Sequence, residues 1–316
     1  MLDNLSSIIK KGDKGDIESM IEFVKDYDLK LASKEEPDIL ERRIEYLKKL
    51  VDADIPFAYQ ELAFYYEEQK DFNKAIPLLE KAAEFKNTLA MEHLGRYYYF
   101  GEYVKQNYKR AYDLFSIAAE EKESELEHVS VVYPFVAHLF LAEMYRNGIY
   151  VEKDLKKASK HYGDCCWLSI QIGCPESDEM IIATYWNGLE RLGKLSEGEY
   201  KKNVVEALSL LELPVDWDFA DESIIEKLGL SKQDFINAYE DCKIEIKKLY
   251  PTAKYIAVNA GKYIIAKEEK YNQVMDFEDD IEAREYAAKH RDSTNGHAEE
   301  SVKFVLNTET WETLYE

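Results

Sequence analysis

The sequence predicts an all-α protein built from repeated pairs of helices. Its 316 residues include only 13 Gly and 7 Pro, so residues that break helices are rare. Glu, Lys, Leu and Ala are abundant, which favours helices over strands. Three consecutive stretches also place small and large side chains in the same order, which is typical of stacked helical repeats.

The three stretches are residues 57–86, 89–122 and 136–170. The first helix of each carries an early Ala, then Leu beside a small residue, then Tyr. These positions are Ala58, Leu62, Ala63 and Tyr66 in the first stretch, Ala90, Leu94, Gly95 and Tyr98 in the second, and Ala137, Leu141, Ala142 and Tyr145 in the third.

The second helix of each stretch places small residues around a large one. The aligned positions are Ala75, Leu79 and Ala82, then Ala111, Phe115 and Ala118, then Ala158, Tyr162 and Cys165. Large residues at helical spacing form an apolar stripe, and small ones let two helices approach closely. Because neither helix can bury its stripe alone, neighbouring pairs are expected to stack.

A Gly-x-x-Val segment follows the first helix in the second and third stretches, as Gly101-Glu-Tyr-Val104 and Gly148-Ile-Tyr-Val151. Glycine suits the left-handed turn that ends a helix. With this segment the stretches resemble the Sel1-like repeat, a relative of the tetratricopeptide repeat. The first stretch lacks it and is more similar to a plain tetratricopeptide unit. The resemblance implies a right-handed α-solenoid that binds other proteins, with the first helices lining its concave face.

The regions around the repeats suggest three domains. Residues 1–56 are expected to form capping helices or to hold a degenerate repeat unit, because Leu40, Ile44 and Leu47 fall on one helical face. Residues 57–213 would form the solenoid, with a partly matching fourth unit over 178–213 in which Gly188 follows the first helix. The connection over 120–134 is either a partner-binding loop or a linker.

Residues 214–316 are expected to be mainly helical, with a small β element as an option. Ser231 and Asp234 signal the start of a helix. Its apolar stripe would comprise Phe235, Tyr239, Cys242, Ile246 and Leu249. Residues 254–267 fit either a helix or a hairpin, 276–290 an acidic helix, and 301–306 a strand.

The formal net charge of −22 restricts the possible partners. A field this negative repels nucleic acid and anionic membranes and favours encounter with a cationic protein. The charge is equally consistent with a role in solubility alone. No signal peptide or run of about 20 apolar residues is present, so we expect a cytoplasmic protein.

No catalytic motif is present, and we expect no catalytic residue, cofactor or metal ligand. Gly261-Lys262 lacks both the first glycine and the Ser/Thr of a phosphate-binding loop. Cys165 and Cys166 fall where the other stretches place Ala, so we interpret them as small core residues. The Cys166–Cys174 spacing resembles the disulfides of secreted, cysteine-rich Sel1-like proteins, and we interpret this match as coincidence.

The resemblance assigns a partner-binding surface to the first helices. In this register Tyr98 is expected in the core and Tyr99 at the partner. Histidines in these helices, such as His93 and His138, are expected to be ordinary packed or surface residues. The candidate binding residues are Gln60, Phe64, Glu67, Glu92, Arg96, Tyr99, Leu139, Glu143 and Arg146. The alternative is that these are solvated side chains without a partner.

Three functional hypotheses follow. The first is a non-enzymatic adaptor or scaffold that binds a polypeptide on the concave face. The second is an immunity or antitoxin-type inhibitor that neutralises a basic effector or toxin, which the resemblance and the acidic charge both allow. The third is an enzyme whose site lies in residues 214–316.

Overall fold

The computed structural model describes residues 2–26, 30, 34, 36–120, 134–171, 177–195, 204–212, 224–249, 251, 255–259, 274–277, 302–307, 309, 311 and 313–315. The chain divides into two compact units, Met1–Ala137 and His138–Glu316. The domain limits expected at residues 56 and 213 remain predictions. Among the described helices, none is long and apolar enough to cross a membrane.

Helices make up the described part of the first unit. They are α1 (Leu2–Gly12), α2 (Ile17–Lys25), α3 (Pro37–Asp52), α4 (Pro56–Glu68), α5 (Phe72–Glu84), α6 (Thr88–Phe100) and α7 (Tyr108–Glu120), and α8 (Phe135–Asn147) begins at the end of this unit. Consecutive helices pack against each other from α3 to α7, which is the arrangement of an α-solenoid.

Helices α1 to α3 share one core with the first repeat. Leu47 and Leu50 on α3 are fully buried and cluster with Phe23 of α2 and Leu62 of α4. The Tyr46 hydroxyl lies 3.1 Å from the carbonyl of Ile9 and 2.7 Å from Asp13 Oδ1. Of the apolar face expected on α3, Ile44 and Leu47 are buried and Leu40 is half-buried, and the face packs against the first helix of the repeats.

The small residues of the repeats lie where two helices approach most closely. Ala58, Ala63, Ala90, Ala75, Ala82, Ala111 and Ala118 are all fully buried. At Gly95 the approach is very close, because an added Cβ would lie 2.4 Å from Cε1 of Phe115 on α7. Phe115 is itself fully buried, so this position of α6 has no room for a side chain.

The Gly-x-x-Val segments adopt the same turn in the second and third repeats. Gly101 has φ +76° and Gly148 has φ +68°, so both take the left-handed conformation expected of a helix-ending glycine. After the turn, the Asn107 amide donates to the Tyr98 carbonyl at 2.8 Å, and the Asp154 amide donates to the Tyr145 carbonyl at 3.0 Å. The two segments are thus equivalent in structure as well as in sequence.

The second unit continues the pairing of helices. It contains the rest of α8, then α9 (Leu155–Gln171), α10 (Asp178–Arg191), α11 (Val204–Glu212), α12 (Ile224–Lys227) and α13 (Lys232–Leu249). Its positions expected in the core of the third repeat are buried, namely Leu141, Ala142, Ala158, Tyr162 and Cys165.

Helices α10 and α11 form a fourth pair with the register of the second. A Cβ added at Gly188 would lie 2.6 Å from Leu211 Cγ, just as Gly95 meets Phe115. Gly188 therefore lies inside α10, and the expectation that it follows the helix is wrong. Gly193, with φ +80°, occupies the left-handed position beyond the helix instead.

The C-terminal region contains a four-stranded antiparallel sheet in the order β2-β1-β3-β4. Its strands are β1 (Tyr255–Asn259), β2 (Val274–Phe277), β3 (Val302–Asn307) and β4 (Thr313–Tyr315). The strand expected near 301–306 is confirmed, and β1 settles the start of 254–267 as extended. Residues 276 and 277 belong to β2 rather than to an acidic helix, and 278–290 lie outside the described residues.

Helix α13 follows the predicted apolar stripe except at its end. Phe235, Cys242 and Ile246 are buried, whereas Leu249 is 56% exposed. The Ser231 amide donates to Asp234 Oδ2 at 2.8 Å, which is the backbone half of the predicted helix-start motif.

Candidate functional site

Helices α4, α5 and α6 of the first unit, with the segment that follows α6, carry a cluster of half-buried and exposed aromatic side chains around one carboxylate. We call this cluster the aromatic face and define it as Phe64, Glu67, Phe72, His93, Tyr97 and Tyr103. The ring centroids of Phe64 and His93 lie 4.7 Å apart, and those of Tyr97 and Tyr103 lie 5.2 Å apart at 88°. These spacings are typical of attractive aromatic pairs.

Glu67 lies at the centre of the aromatic face. Its carboxylate accepts a hydrogen bond from the Tyr97 hydroxyl, and its Oε2 lies 3.1 Å from His93 Nδ1. Burial and the neighbouring Glu67 raise the pKa of Tyr97 above its ordinary value, so the phenol stays protonated and keeps donating. The side chain of Glu67 is 12% exposed, so a partner would meet the surrounding rings before the carboxylate.

Tyr103 brings the Gly-x-x-Val segment into the aromatic face. Its ring stacks on Phe72 with centroids 3.4 Å apart and planes 8° apart. Tyr103 is nevertheless 59% exposed and has φ +60°, a conformation that costs energy for a residue with a side chain. The fold therefore holds a large aromatic ring at the surface. The sequence pattern did not single out this residue.

Four of the nine candidate binding residues are accessible on the first unit. Phe64 and Glu67 belong to the aromatic face, and Arg96 is half-buried on α6. Gln60 is half-buried too, and its Oε1 accepts a hydrogen bond from Asn87 Nδ2 at 2.6 Å.

Glu92 and Tyr99, by contrast, face inward. Glu92 is 3% exposed, and its Oε1 accepts a hydrogen bond from the Ala137 amide in the first turn of α8 at 2.9 Å. A carboxylate at a helix N-terminus is stabilised by the exposed amides and the helix dipole. In this conformation Glu92 acts as a helix cap and is not available to a partner.

The expected roles of Tyr98 and Tyr99 are reversed. Tyr99 is 6% exposed and lies 5.6 Å from the ring of Tyr108, while Tyr98 is half-buried and donates from its hydroxyl to Glu80 at 2.7 Å. Tyr108 begins α7, and in the segment before it Gln106 Nε2 donates a hydrogen bond to the Tyr99 carbonyl at 3.0 Å. The expectation that Tyr99 faces a partner is therefore wrong.

Of the three candidate residues of the second unit, Glu143 and Arg146 belong to a largely buried polar network and Leu139 belongs to the apolar core. Leu139 is fully buried, and the Glu143 side chain is 1% exposed. Glu143 accepts hydrogen bonds from the Tyr162 hydroxyl at 2.6 Å, from Asn147 Nδ2 at 3.1 Å and from Arg146. Burial and then Glu143 raise the Tyr162 pKa well above its ordinary value, so this phenol also stays protonated.

Arg146 packs against an aromatic ring of the next helix pair. Its guanidinium carbon lies 3.9 Å from the ring centroid of Trp186 on α10, a cation–π contact. The equivalent pair in the first unit is Glu67 with His93. In the register of the repeats Glu67 corresponds to Arg146, and His93 corresponds to Trp186. In the second unit this position is filled by Trp186.

A second polar cluster lies between α8 and α9. His138 Nδ1 is 2.9 Å from His161 Nδ1 and 3.6 Å from Asp164 Oδ2. Burial lowers the pKa of His138 to about 4, and burial together with His138 lowers that of His161 to about 3, so both imidazoles are neutral at pH 7. Among the described residues, this trio could hold a metal ion. His138, which we expected to be an ordinary packed or surface histidine, is packed here beside two other potential ligands.

The cysteines of α9 are placed as small packed residues. Cys165 is fully buried. Cys166 accepts a hydrogen bond from Asn187 Nδ2 at 3.3 Å, and burial raises its pKa to about 12. Cys165, Cys166 and Cys242 are free thiols, and Cys174 lies outside the described residues.

Comparison with known proteins identifies the repeats. The Sel1 repeat family model matches residues 56–84, 88–122 and 136–162, so it includes the first stretch, which lacks the Gly-x-x-Val segment. No curated protein matches the chain.

Several solved structures are similar to the chain, among them the following two. One is a Sel1 repeat protein from Oxalobacter formigenes, with 18% identity, a TM-score of 0.44, and coverage of 76% of this chain and 99% of the other. Another is a protective antigen of uropathogenic Escherichia coli with an SLR fold, with 15% identity, a TM-score of 0.44, and coverage of 78% and 59%. The repeat match agrees with the register of small residues, and the chain carries three Sel1 repeats, a class that generally mediates protein–protein interaction.

Proposed function

We propose that the chain is a non-enzymatic adaptor or scaffold that binds a polypeptide partner through the aromatic face, on the concave side of its repeats. The observation that carries this proposal is the exposed Tyr103 ring stacked on Phe72, beside Phe64 and His93. Proteins with Sel1 repeats are typically non-catalytic scaffolds.

The chemistry of the aromatic face suits a polypeptide. Aromatic residues and Arg are enriched where protein interfaces are most strongly held, because they bury a large area with few rotatable bonds. Tyr103 and Phe72 are already stacked, so little side-chain entropy is lost when a partner covers them. Arg96 on the same helix as His93 adds a planar hydrogen-bond donor that suits carboxylates and backbone carbonyls.

The proposed contact set differs from the nine residues named from sequence. Gln60, Phe64, Glu67 and Arg96 remain in it. His93 and Tyr97 join it because they contact Glu67, and Tyr103 joins it because its ring packs against Tyr97. Glu92, Tyr99, Leu139 and Glu143 are buried, and Arg146 packs on Trp186, so these five are left out.

Affinity capture with matched variants tests the proposal. The full chain is used as bait in a lysate of the native host, beside Phe64→Ala/Tyr103→Ala and a control, Tyr150→Ala. Tyr150 is the repeat-equivalent of Tyr103, is 52% exposed and lies in the second unit. The proposal expects a protein that the wild type and control retain and the double variant loses. Equal retention by all three baits would contradict it.

A second candidate is an inhibitor of a basic effector or toxin, which the net charge of −22 favours. Such a complex would weaken steeply as ionic strength rises, because screening removes long-range attraction. Co-expression with the captured partner supplies the test: restored growth of cells that the partner alone arrests supports inhibition. Growth arrest that persists in the presence of both proteins rejects it.

A further inference from the structure

We propose that His138, His161 and Asp164 form a binding site for a divalent transition metal ion, with Zn²⁺ as the ion that suits it best. The site joins α8 to α9 within the third repeat. It is separate from the aromatic face and independent of the function proposed for it.

The positions of the ligand atoms are close to those a metal requires. The two Nδ1 atoms are 2.9 Å apart, and His138 Nδ1 is 3.6 Å from Asp164 Oδ2. Ligands held at about 2.0–2.1 Å around a tetrahedral Zn²⁺ lie about 3.3 Å from one another. An ion therefore needs the imidazole nitrogens to separate by about 0.4 Å and Asp164 Oδ2 to approach His138 Nδ1 by about 0.3 Å. The three residues offer ligand atoms that all lie within 4.8 Å of one another. Two nitrogens and one carboxylate oxygen also match zinc in ligand type.

The register of the repeats shows that these histidines replace an apolar pair. The positions equivalent to His138 and His161 in the second repeat are Met91 and Leu114, which are 1% and 3% exposed. Apolar residues at these positions fill the space between the paired helices. Two imidazoles at these positions lose hydrogen bonds to water when they are buried. Because both rings are neutral and their Nδ1 atoms face each other, the two rings form only one hydrogen bond between these nitrogens. A metal ion would engage both nitrogens at once.

The surroundings orient the ligands and leave a path for the ion. The Tyr145 ring stacks on His161 with centroids 5.7 Å apart and planes 5° apart, which fixes the plane of the imidazole. The side chains of His138 and Asp164 are 12% and 28% exposed, so solvent reaches the cluster from the Asp164 side. With three protein ligands, a fourth position is available to water.

Two lysines on α9 influence the electrostatic potential at the site, and this influence can be tested by mutation. Lys157 and Lys160 both disfavour positive charge at His161, so they oppose a bound cation. The Lys157 Nζ lies 3.7 Å from Asp154 Oδ2 and 4.9 Å from the centroid of the Tyr145 ring, so it has partners of its own. Lys160 is exposed and can be neutralised without disturbing the core. The variant Lys160→Gln should therefore bind Zn²⁺ more tightly than the wild type.

Calorimetric titration of the untagged full chain with Zn²⁺ tests the site. The informative variant is His138→Met/His161→Leu, which installs the residues of the second repeat. The control is His93→Gln, which removes a histidine of the first unit. We expect one Zn²⁺ per chain for the wild type and control and at least tenfold weaker binding by the double variant. Titration with Mg²⁺, which prefers oxygen ligands, should give no binding.

Cobalt provides a direct readout of the ligands. Co²⁺ bound to the wild type should show visible absorption of a low-coordinate nitrogen and oxygen site, and Zn²⁺ should displace it. If the double variant loses its helical circular dichroism, Asp164→Asn decides instead, with an altered Co²⁺ spectrum and weaker Zn²⁺ binding expected. The proposal is overturned if the wild type does not bind Zn²⁺, or if the folded variants bind it as tightly as the wild type.

Discussion

Gly95→Ala is the substitution that tests the repeat packing most sharply. The added methyl carbon would lie 2.4 Å from Cε1 and 2.6 Å from Cζ of Phe115. Carbon atoms in contact prefer about 3.5–4.0 Å, so the ring would have to move by about 1 Å. Phe115 is fully buried, and a close-packed interior gives it little space.

The expected cost follows from two opposing effects. Overpacking a buried site costs about 1–3 kcal/mol. Replacing Gly by Ala inside a helix returns about 0.8–1.0 kcal/mol, because Ala has the higher helix propensity. Since the contact is far inside the normal carbon–carbon distance, we expect the upper part of the cost to apply. The predicted net loss of unfolding free energy is about 1–2 kcal/mol.

A double-mutant cycle with Phe115→Leu isolates the steric effect. The first repeat already combines Ala63 with Leu79 at the equivalent positions, so Gly95→Ala/Phe115→Leu installs a pair that this chain uses. Unfolding free energies would be measured by urea titration. The double variant should be about 1–2 kcal/mol more stable than the value obtained by adding the destabilisations of the two single variants. Additive effects, or a Gly95→Ala variant more stable than the wild type, would refute the reasoning.

Three further predictions concern other parts of the fold. In the folded protein His138 and His161 have pKa values of about 4 and about 3, whereas a histidine of the unfolded chain has a pKa of about 6.5. Between these values the unfolded chain binds more protons, so the stability of the metal-free protein should be full above about pH 6.5 and fall toward about pH 4. The loss of unfolding free energy is about 3 kcal/mol for His138 alone. Denaturant titrations across this pH range should show that the unfolding free energy of His138→Met/His161→Leu depends less on pH than that of the wild type. An equal pH dependence in both proteins would contradict the assignment. Arg146→Met should cost about 3–5 kcal/mol because it leaves the Glu143 carboxylate buried without a cation, and adding Glu143→Gln should recover part of it; no loss on thermal or urea unfolding would show that the pair is not buried as described. Gly101→Ala should cost about 1–2 kcal/mol because its φ of +76° is unfavourable for a side chain, and a thermal melt that matches the wild type would contradict that turn.

The sequence was sufficient to predict the repeat core. Ala58, Ala90 and Ala137 recur at the same position of each first helix, where small residues let paired helices approach, and each is fully buried. Such a pattern is local, since it depends only on helical period and on the size of each side chain. The same logic predicted the glycine turn at Gly101, where only the backbone conformation matters.

The candidate site was predicted less well, because long-range contacts decide which residues are exposed. Tyr99 is covered by Tyr108 across the connecting segment, and Glu92 caps α8 from another helix. Neither contact can be predicted from the spacing of apolar residues along α6. Tyr103 was missed for a related reason, since its exposure depends on the turn that follows Gly101 and on the Phe72 ring beneath it.

The histidine pair could have been found from the sequence. Laying the third repeat on the second aligns His138 with Met91 and His161 with Leu114. A departure from apolar character at two facing core positions is the signal. It was overlooked because each histidine was considered alone rather than with its partner across the helix pair.

The binding role of the aromatic face is the central claim, and the affinity of the captured partner for matched variants tests it most directly. Calorimetry would compare the wild type, Phe64→Ala/Tyr103→Ala and Tyr150→Ala. Removing two aromatic side chains from the centre of an interface typically costs at least about 2 kcal/mol, so we predict at least a roughly 30-fold weaker Kd for the double variant and an unchanged Kd for Tyr150→Ala. Equal affinities for all three proteins would contradict the claim.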